Sequence, residues 1–161
     1  METNTELVAC RKHWQEVARG RLKFEMAGLS FALKHGFTPE EYAKHLWTTG
    51  AEKWMRRSHP TAREYVLREA EAFKTLYPAV TFSTGKLTDH EAELLFPKGC
   101  CLGGWGKEQW SVAKSVGVDK DSFCRYCNQA FRSWAEQLGL EAHTEPHPDG
   151  ACVLRARTKA R

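Results

Sequence analysis

The chain has 161 residues, 42% of them hydrophobic and 27% charged, which is about one domain's worth of ordinary globular protein. The 24 basic and 20 acidic residues leave a net charge of +4, too interleaved to point to a nucleic-acid partner, and no apolar run reaches the ~18 residues of a membrane span. The start, Met-Glu-Thr-Asn-Thr-Glu-Leu-Val, is neither basic nor apolar, so a secretory signal is not expected. The expectation is one cytoplasmic domain over 1–161, with a helical half at 1–78 and a sheet plus a cysteine-bearing helix at 79–161.

Apolar residues from Leu7 to Leu33 recur every three, four or seven positions, predicting helix from about Thr5 to His35. Gly20 is a candidate break and Gly36 a candidate left-handed cap. Thr38-Pro39-Glu40-Glu41 combines a capping hydroxyl, a first-turn proline and a glutamate that reaches back. Tyr42, Leu46, Trp47, Trp54 and Met55 continue that helix as one apolar stripe. Ser58-His59-Pro60 opens the next, with Tyr65, Val66, Ala70, Phe73 and Tyr77 on its inner face and Pro78 at its end.

Beyond Pro78 the pattern changes. Ala79 to Thr84 is rich in β-branched and aromatic residues and reads as a strand, with Gly85 at a turn or bulge. Ala92 to Phe96 is a second extended piece or a short helix capped by Thr88. Residues 99–106 form a glycine-rich loop, and Lys107 to Val116 a short helix. The last helix begins at the acids Asp119 and Asp121 and ends at Gly139. On it Cys124, Cys127, Phe131, Trp134 and Leu138 repeat at three and four residues, one face to be buried. Leu140–His147 and Ala151–Arg157 form a hairpin about Pro148-Asp149-Gly150. Helices followed by strands with a helix inserted between two strand pairs predict α+β, with N-terminal helices packed on a small antiparallel sheet.

Five of the six cysteines lie between Cys100 and Cys152. Cys124 and Cys127 form a C-x-x-C on a helix, two thiolates on one face, as zinc or an iron–sulfur cluster requires. Cys100, Cys101 and Cys152 are candidates for the other ligands. Cys101, flanked by glycines whose N–H groups can turn toward a cavity, is the candidate nucleophile. The alternative is that Cys127 and Cys152 simply fill core space. His143, Glu145 and His147 alternate on one strand face, and His143 to His147 spans ~13 Å in an extended strand, too far for one metal. The six Trp and eight Phe supply a ligand pocket for which Trp105, Phe131, Trp134 and His143 are candidates. Trp47 and Trp54 are expected to fill space. The basic end, Arg155, Arg157, Lys159 and Arg161, is expected to be solvated.

The order strand, Cys100-Cys101-Leu102-Gly103-Gly104, helix, Cys124-x-x-Cys127-Asn128, Phe131, Leu138-Gly139, strand, Asp149-Gly150-x-Cys152, strand resembles two related groups over Val80 to Arg157. They are the L-2-amino-thiazoline-4-carboxylic acid hydrolase-like family and the 4-vinyl reductase small-molecule-binding domain. The resemblance implies a ligand cavity between helices and a curved antiparallel sheet. For the first group it implies opening of a small sulfur–nitrogen ring, and for the second, ligand binding that sometimes regulates. Cys101, Cys124 or Cys127, and Cys152 match the three cysteine positions; the doubled Cys100-Cys101 and the C-x-x-C depart from the pattern and favour a metal or cluster. The functional expectation is thus a small-molecule-binding protein, as a cysteine- or metal-dependent hydrolase or as a non-catalytic metal, iron–sulfur or redox sensor. A homodimer is compatible with the sequence.

Overall fold

In a computed structural model, residues 4–49, 59–78, 80–98 and 107–159 are described. Helix α1, Asn4–Lys34, runs through Gly20 without a break. The buried stripe Ala18, Leu22, Met26, Leu29 and Ala32 keeps helical spacing beyond it, and one interior glycine costs only about 1 kcal/mol. The helix stops where Gly36 turns to φ 83°. Gly36 N–H donates to Leu33 O and Phe37 N–H to Ala32 O, the Schellman closure that glycine allows.

Helix α2, Pro39–Thr49, starts at the expected box. Glu41 N–H donates to Thr38 Oγ1 at 3.2 Å, and Thr38 N–H donates to the Glu41 carboxylate at 2.8 Å. Residues 51–58, where the sequence continues this helix, lie outside the described part. Helix α3, Ala62–Leu76, opens with a second such box between Thr61 and Glu64, just after the boundary expected at Ser58–Pro60.

Strand β1 spans Ser83–Leu87 and β2 Glu91–Phe96. The first lies later than expected because the strand continues through Gly85. A side chain there would meet Glu93 Oε2 at 2.7 Å and Leu95 at 3.3 Å, and the register shifts between Thr84 and Leu87. Helices α4, Lys107–Ser115, and α5, Lys120–Gln137, follow, the latter capped by Asp119 accepting from Ser122 N–H at 2.7 Å. Strands β3, Leu140–Pro146, and β4, Cys152–Thr158, close the chain.

The four strands form one antiparallel sheet in the order β1-β2-β4-β3, the α+β architecture anticipated. Alternate residues are buried along β2, along β3 as far as Thr144 and along β4 as far as Ala156. Helix α3 covers β2 and β4 on that inner side, while α5 lies between β3 and α2. The outer face is charged. Arg155 bridges Glu93 at 2.8 Å and Glu145 at 2.7 Å, and Arg157 meets Glu141 at 2.7 Å. Of the basic residues expected to be solvated, Arg155 is half-buried between acids of two other strands, while Arg157 and Lys159 are exposed and Arg161 lies outside the described residues. No described helix is long and apolar enough to cross a membrane.

Candidate functional site: an aromatic cavity between four helices

The helices converge on a cavity of about 160 Å³. Several of the lining residues, Phe73, Phe123, Tyr126 and Ala130 among them, also belong to the buried core. Arg21 and Glu25 come from α1, Trp47 from α2, Glu69, Ala72, Phe73 and Leu76 from α3, and Phe123, Tyr126, Cys127, Ala130, Phe131 and Trp134 from α5. Tyr77, just past α3, completes the wall. The aromatic rings pack into one another. Trp47 and Trp134 meet edge to face at 5.4 Å, and Phe73 stacks on Phe131 at 5.9 Å. Such pairs hold rings in fixed orientation.

One end of the cavity carries a satisfied polar cluster. Tyr126 Oη donates to Glu25 Oε1 at 3.0 Å and Tyr77 Oη to Glu25 Oε2 at 3.1 Å. Arg21 donates to Tyr77 Oη at 3.1 Å, approaches Glu25 at 3.5 Å and lies over the Tyr77 ring. Burial, and then the negative Glu25 beside it, push the Tyr126 phenol up, so it stays a donor at any ordinary pH. Tyr42 stacks on Tyr126 at 5.8 Å and is likewise raised by burial and by Glu25.

The α3 side has groups with less company. Burial pushes Glu69 up to about 7, and the Trp134 side chain only partly offsets this. Trp47 Nε1 is buried and meets no hydrogen-bond acceptor among the described residues. Buried donors are normally paired, and this one belongs to a ring of the cavity wall.

The sequence-derived candidates scatter across this geometry. Phe131, Trp134 and Cys127 line the cavity. Trp47, expected only to fill space, packs on Trp134 and also lines it. His143 does not line it. It sits on the outer face of β3, bonded to Glu145 at 2.8 Å, beside a charged groove of about 400 Å³ that includes Arg132, Glu136 and Arg157. That groove lacks the apolar walls by which small-molecule sites hold their ligands. Its place follows from strand alternation: Ala142 and Thr144 point to the helices, so His143 cannot.

Cys124 is half-buried, and Cys152 is buried at the first residue of β4, paired with Phe96 and Pro146. Cys124 and Leu138 share the helix face of Cys127 without lining the cavity. Among the described residues, no three His, Cys, Asp or Glu side chains form a group able to hold a metal ion. Cys100, Cys101 and Trp105 lie outside the described residues.

The sequence reading missed Glu25, Glu69, Arg21, Tyr77 and Tyr126 as site residues. Two carried a legible signal. Glu25 stands three residues after Leu22 and four before Leu29, and Glu69 stands four after Tyr65 and four before Phe73. Both are acids within a buried apolar stripe. No family model matches the chain, nor does any curated protein sequence.

Proposed function

We propose that the chain is a small-molecule-binding protein whose ligand occupies the cavity between α1, α2, α3 and α5. The supporting observation is the union of an aromatic wall with a buried Trp47 N–H that meets no acceptor among the described residues. Apolar walls supply affinity and a few aimed polar groups supply orientation. At about 160 Å³ the space compares with the ~150 Å³ that holds one benzene ring in an engineered protein cavity. The ligand is therefore of roughly that size, with an oxygen or nitrogen that accepts from Trp47.

The test is a calorimetric titration with phenol as a benzene-sized probe, read on the native chain and on Ala72→Phe. Ala72 lines the cavity, so a ring there occupies the ligand's space. The native chain is expected to take up the probe and Ala72→Phe to lose at least tenfold in affinity while keeping its circular dichroism. Equal uptake by the two proteins would refute the assignment.

Cys127 on the cavity wall favours a second reading, in which the cysteines act on what is bound. In its hydrolytic form Cys101 is the nucleophile, acting on a small sulfur–nitrogen heterocycle. In its sensor form Cys100, Cys101, Cys124, Cys127 and Cys152 hold zinc or an iron–sulfur cluster. Elemental analysis with a visible spectrum of anaerobically purified protein tests the sensor form. It predicts near-stoichiometric metal that Cys124→Ser with Cys127→Ser removes; metal-free native protein would rule it out.

A further inference from the structure

We propose that the ligand is an organic amine carrying an oxygen acceptor, with Glu69 as its counter-ion; this rests on the cavity being the binding site. The cavity wall holds two carboxylates and one guanidinium. Glu25 is already engaged by Arg21, Tyr77 and Tyr126. Glu69 has no ion-pair partner among the described residues, and the side chain offsetting its burial is Trp134. An anionic ligand would lie beside a second like charge. A protonated amine restores neutrality, and the faces of Trp and Phe attract cations as well.

The indole N–H of Trp47 narrows the class. An ammonium group has only donors, so it cannot satisfy Trp47, and an oxygen elsewhere on the ligand must do so. The space then suits an amino alcohol, amino ether or amino ketone of roughly six or seven heavy atoms, judged against benzene in a ~150 Å³ cavity. The other charged and titratable groups on the cavity wall are Arg21 and Glu25 from α1, the phenols of Tyr77 and Tyr126 and the Cys127 thiol, and the buried Tyr65 phenol feels the Glu69 charge. The phenol of Tyr126 stays protonated. Glu69 is the wall carboxyl whose charge changes near neutrality.

Isothermal titration with 2-ethoxyethylamine, 2-ethoxyethanol and ethoxyacetate tests this, because the three share a body and differ in charge. At pH 8 the amine is expected to bind at least tenfold tighter than the alcohol, with the acid weakest, and Glu69→Gln is expected to erase the preference for the amine. Amine affinity should rise between pH 6 and 8 in the native chain and stay flat in Glu69→Gln. Alcohol or acid binding as tightly as the amine would overturn the amine assignment and leave the cavity standing. Binding of none of the three at millimolar concentration would count against the cavity itself, and amine binding undiminished in Ala72→Phe would move the site elsewhere.

An independent observation concerns the outer face of α1. Val17, Phe24 and Phe31 stand seven residues apart and are 57%, 82% and 64% exposed. Gly20 and Ala27 lie between them at the other heptad positions, and no described atom comes within 4 Å of where a Gly20 side chain would start. We also propose that a second copy of the chain covers this face, with the two α1 helices antiparallel. In the register that sets Phe24 on the partner's Ala27, Phe31 falls on the partner's Gly20 and Val17 beneath the partner's Lys34. Each ring then meets a small residue, the knob-into-hole fit of paired helices. Lys34 also comes beside the partner's Glu16, so the ends are complementary in charge. Sedimentation equilibrium at 50 μM is expected to give a dimer for the native chain and a monomer for Phe24→Glu and for Gly20→Leu, with unchanged circular dichroism. A monomeric native chain, or dimers in both variants, would overturn it.

Discussion

Glu69 connects the site to the stability of the fold. Its folded value, about 7, lies above the ordinary 4.5, so folding takes up a proton between those limits. The unfolded chain binds fewer protons than the native one in that window, and stability falls as pH rises from about 4.5 to 7. Glu69→Gln removes the burden. It is expected to stabilise the chain by about 1–3 kcal/mol at pH 8 and by little at pH 4, since a shift of one unit corresponds to about 1.4 kcal/mol. Urea unfolding at the two pH values reads this directly; equal effects at both would mean that Glu69 ionises in the folded chain as it does in water. Trp47→Phe removes a buried donor that meets no acceptor among the described residues. It is expected to leave the empty protein no less stable, or to gain up to about 1 kcal/mol, because leaving such a group unpaired costs about 1–3 kcal/mol. Loss of 3 kcal/mol or more would show that packing outweighs the unpaired donor.

At the scale of elements, the locally encoded features were legible and the distant ones were not. Gly36, the Thr38–Glu41 box, Asp119 and the Pro148-Asp149-Gly150 turn each act within five residues, and each marks the boundary expected of it. Gly20, a candidate break, lies inside α1 because a glycine's cost is local while the continuity of the helix comes from a buried stripe. Strand β1 was shifted because its pairing depends on Glu93 and Leu95, residues of another strand. The box at Thr61 offers a check on how firmly α3 is held. Thr61→Ala is expected to cost about 0.5–2 kcal/mol in thermal or urea unfolding, and a variant unchanged within 0.3 kcal/mol would mean that packing alone fixes the start of that helix.

For the molecule as a whole, two β-hairpins joined through β2 and β4 make a platform, and α3 and α5 lie on its inner face. That platform is uniformly packed: Leu94, Leu154, Ala92 and Ala156 are fully buried. Leu154→Ala, in a central strand, is expected to cost about 2–5 kcal/mol, and a loss below 1 kcal/mol would contradict the packing described. The cavity lies instead among the helices. Its walls come from residues as far apart as Arg21 and Trp134, and no local pattern brings these together. Cysteine spacing drew the sequence reading toward the C-terminal half, and of those cysteines Cys127 lines the cavity. The acids inside two apolar stripes were the better guide, since an acid placed there needs a partner that the stripe itself does not supply.

The most direct measurement is an indole N–H spectrum of ¹⁵N-labelled protein, each peak assigned by a Trp→Phe substitution, during titration with 2-ethoxyethylamine. Trp47 and Trp134 belong to the cavity wall. Trp14 lies on α1, donating to Thr75 O at 2.8 Å, and Trp110 packs on Phe123 from α4. Occupation of the cavity predicts that the Trp47 and Trp134 peaks move together to saturation, Trp47 downfield as it gains an acceptor, while those of Trp14 and Trp110 stay in place. Static Trp47 and Trp134 peaks at saturating amine, or movement confined to Trp14 and Trp110, would contradict it.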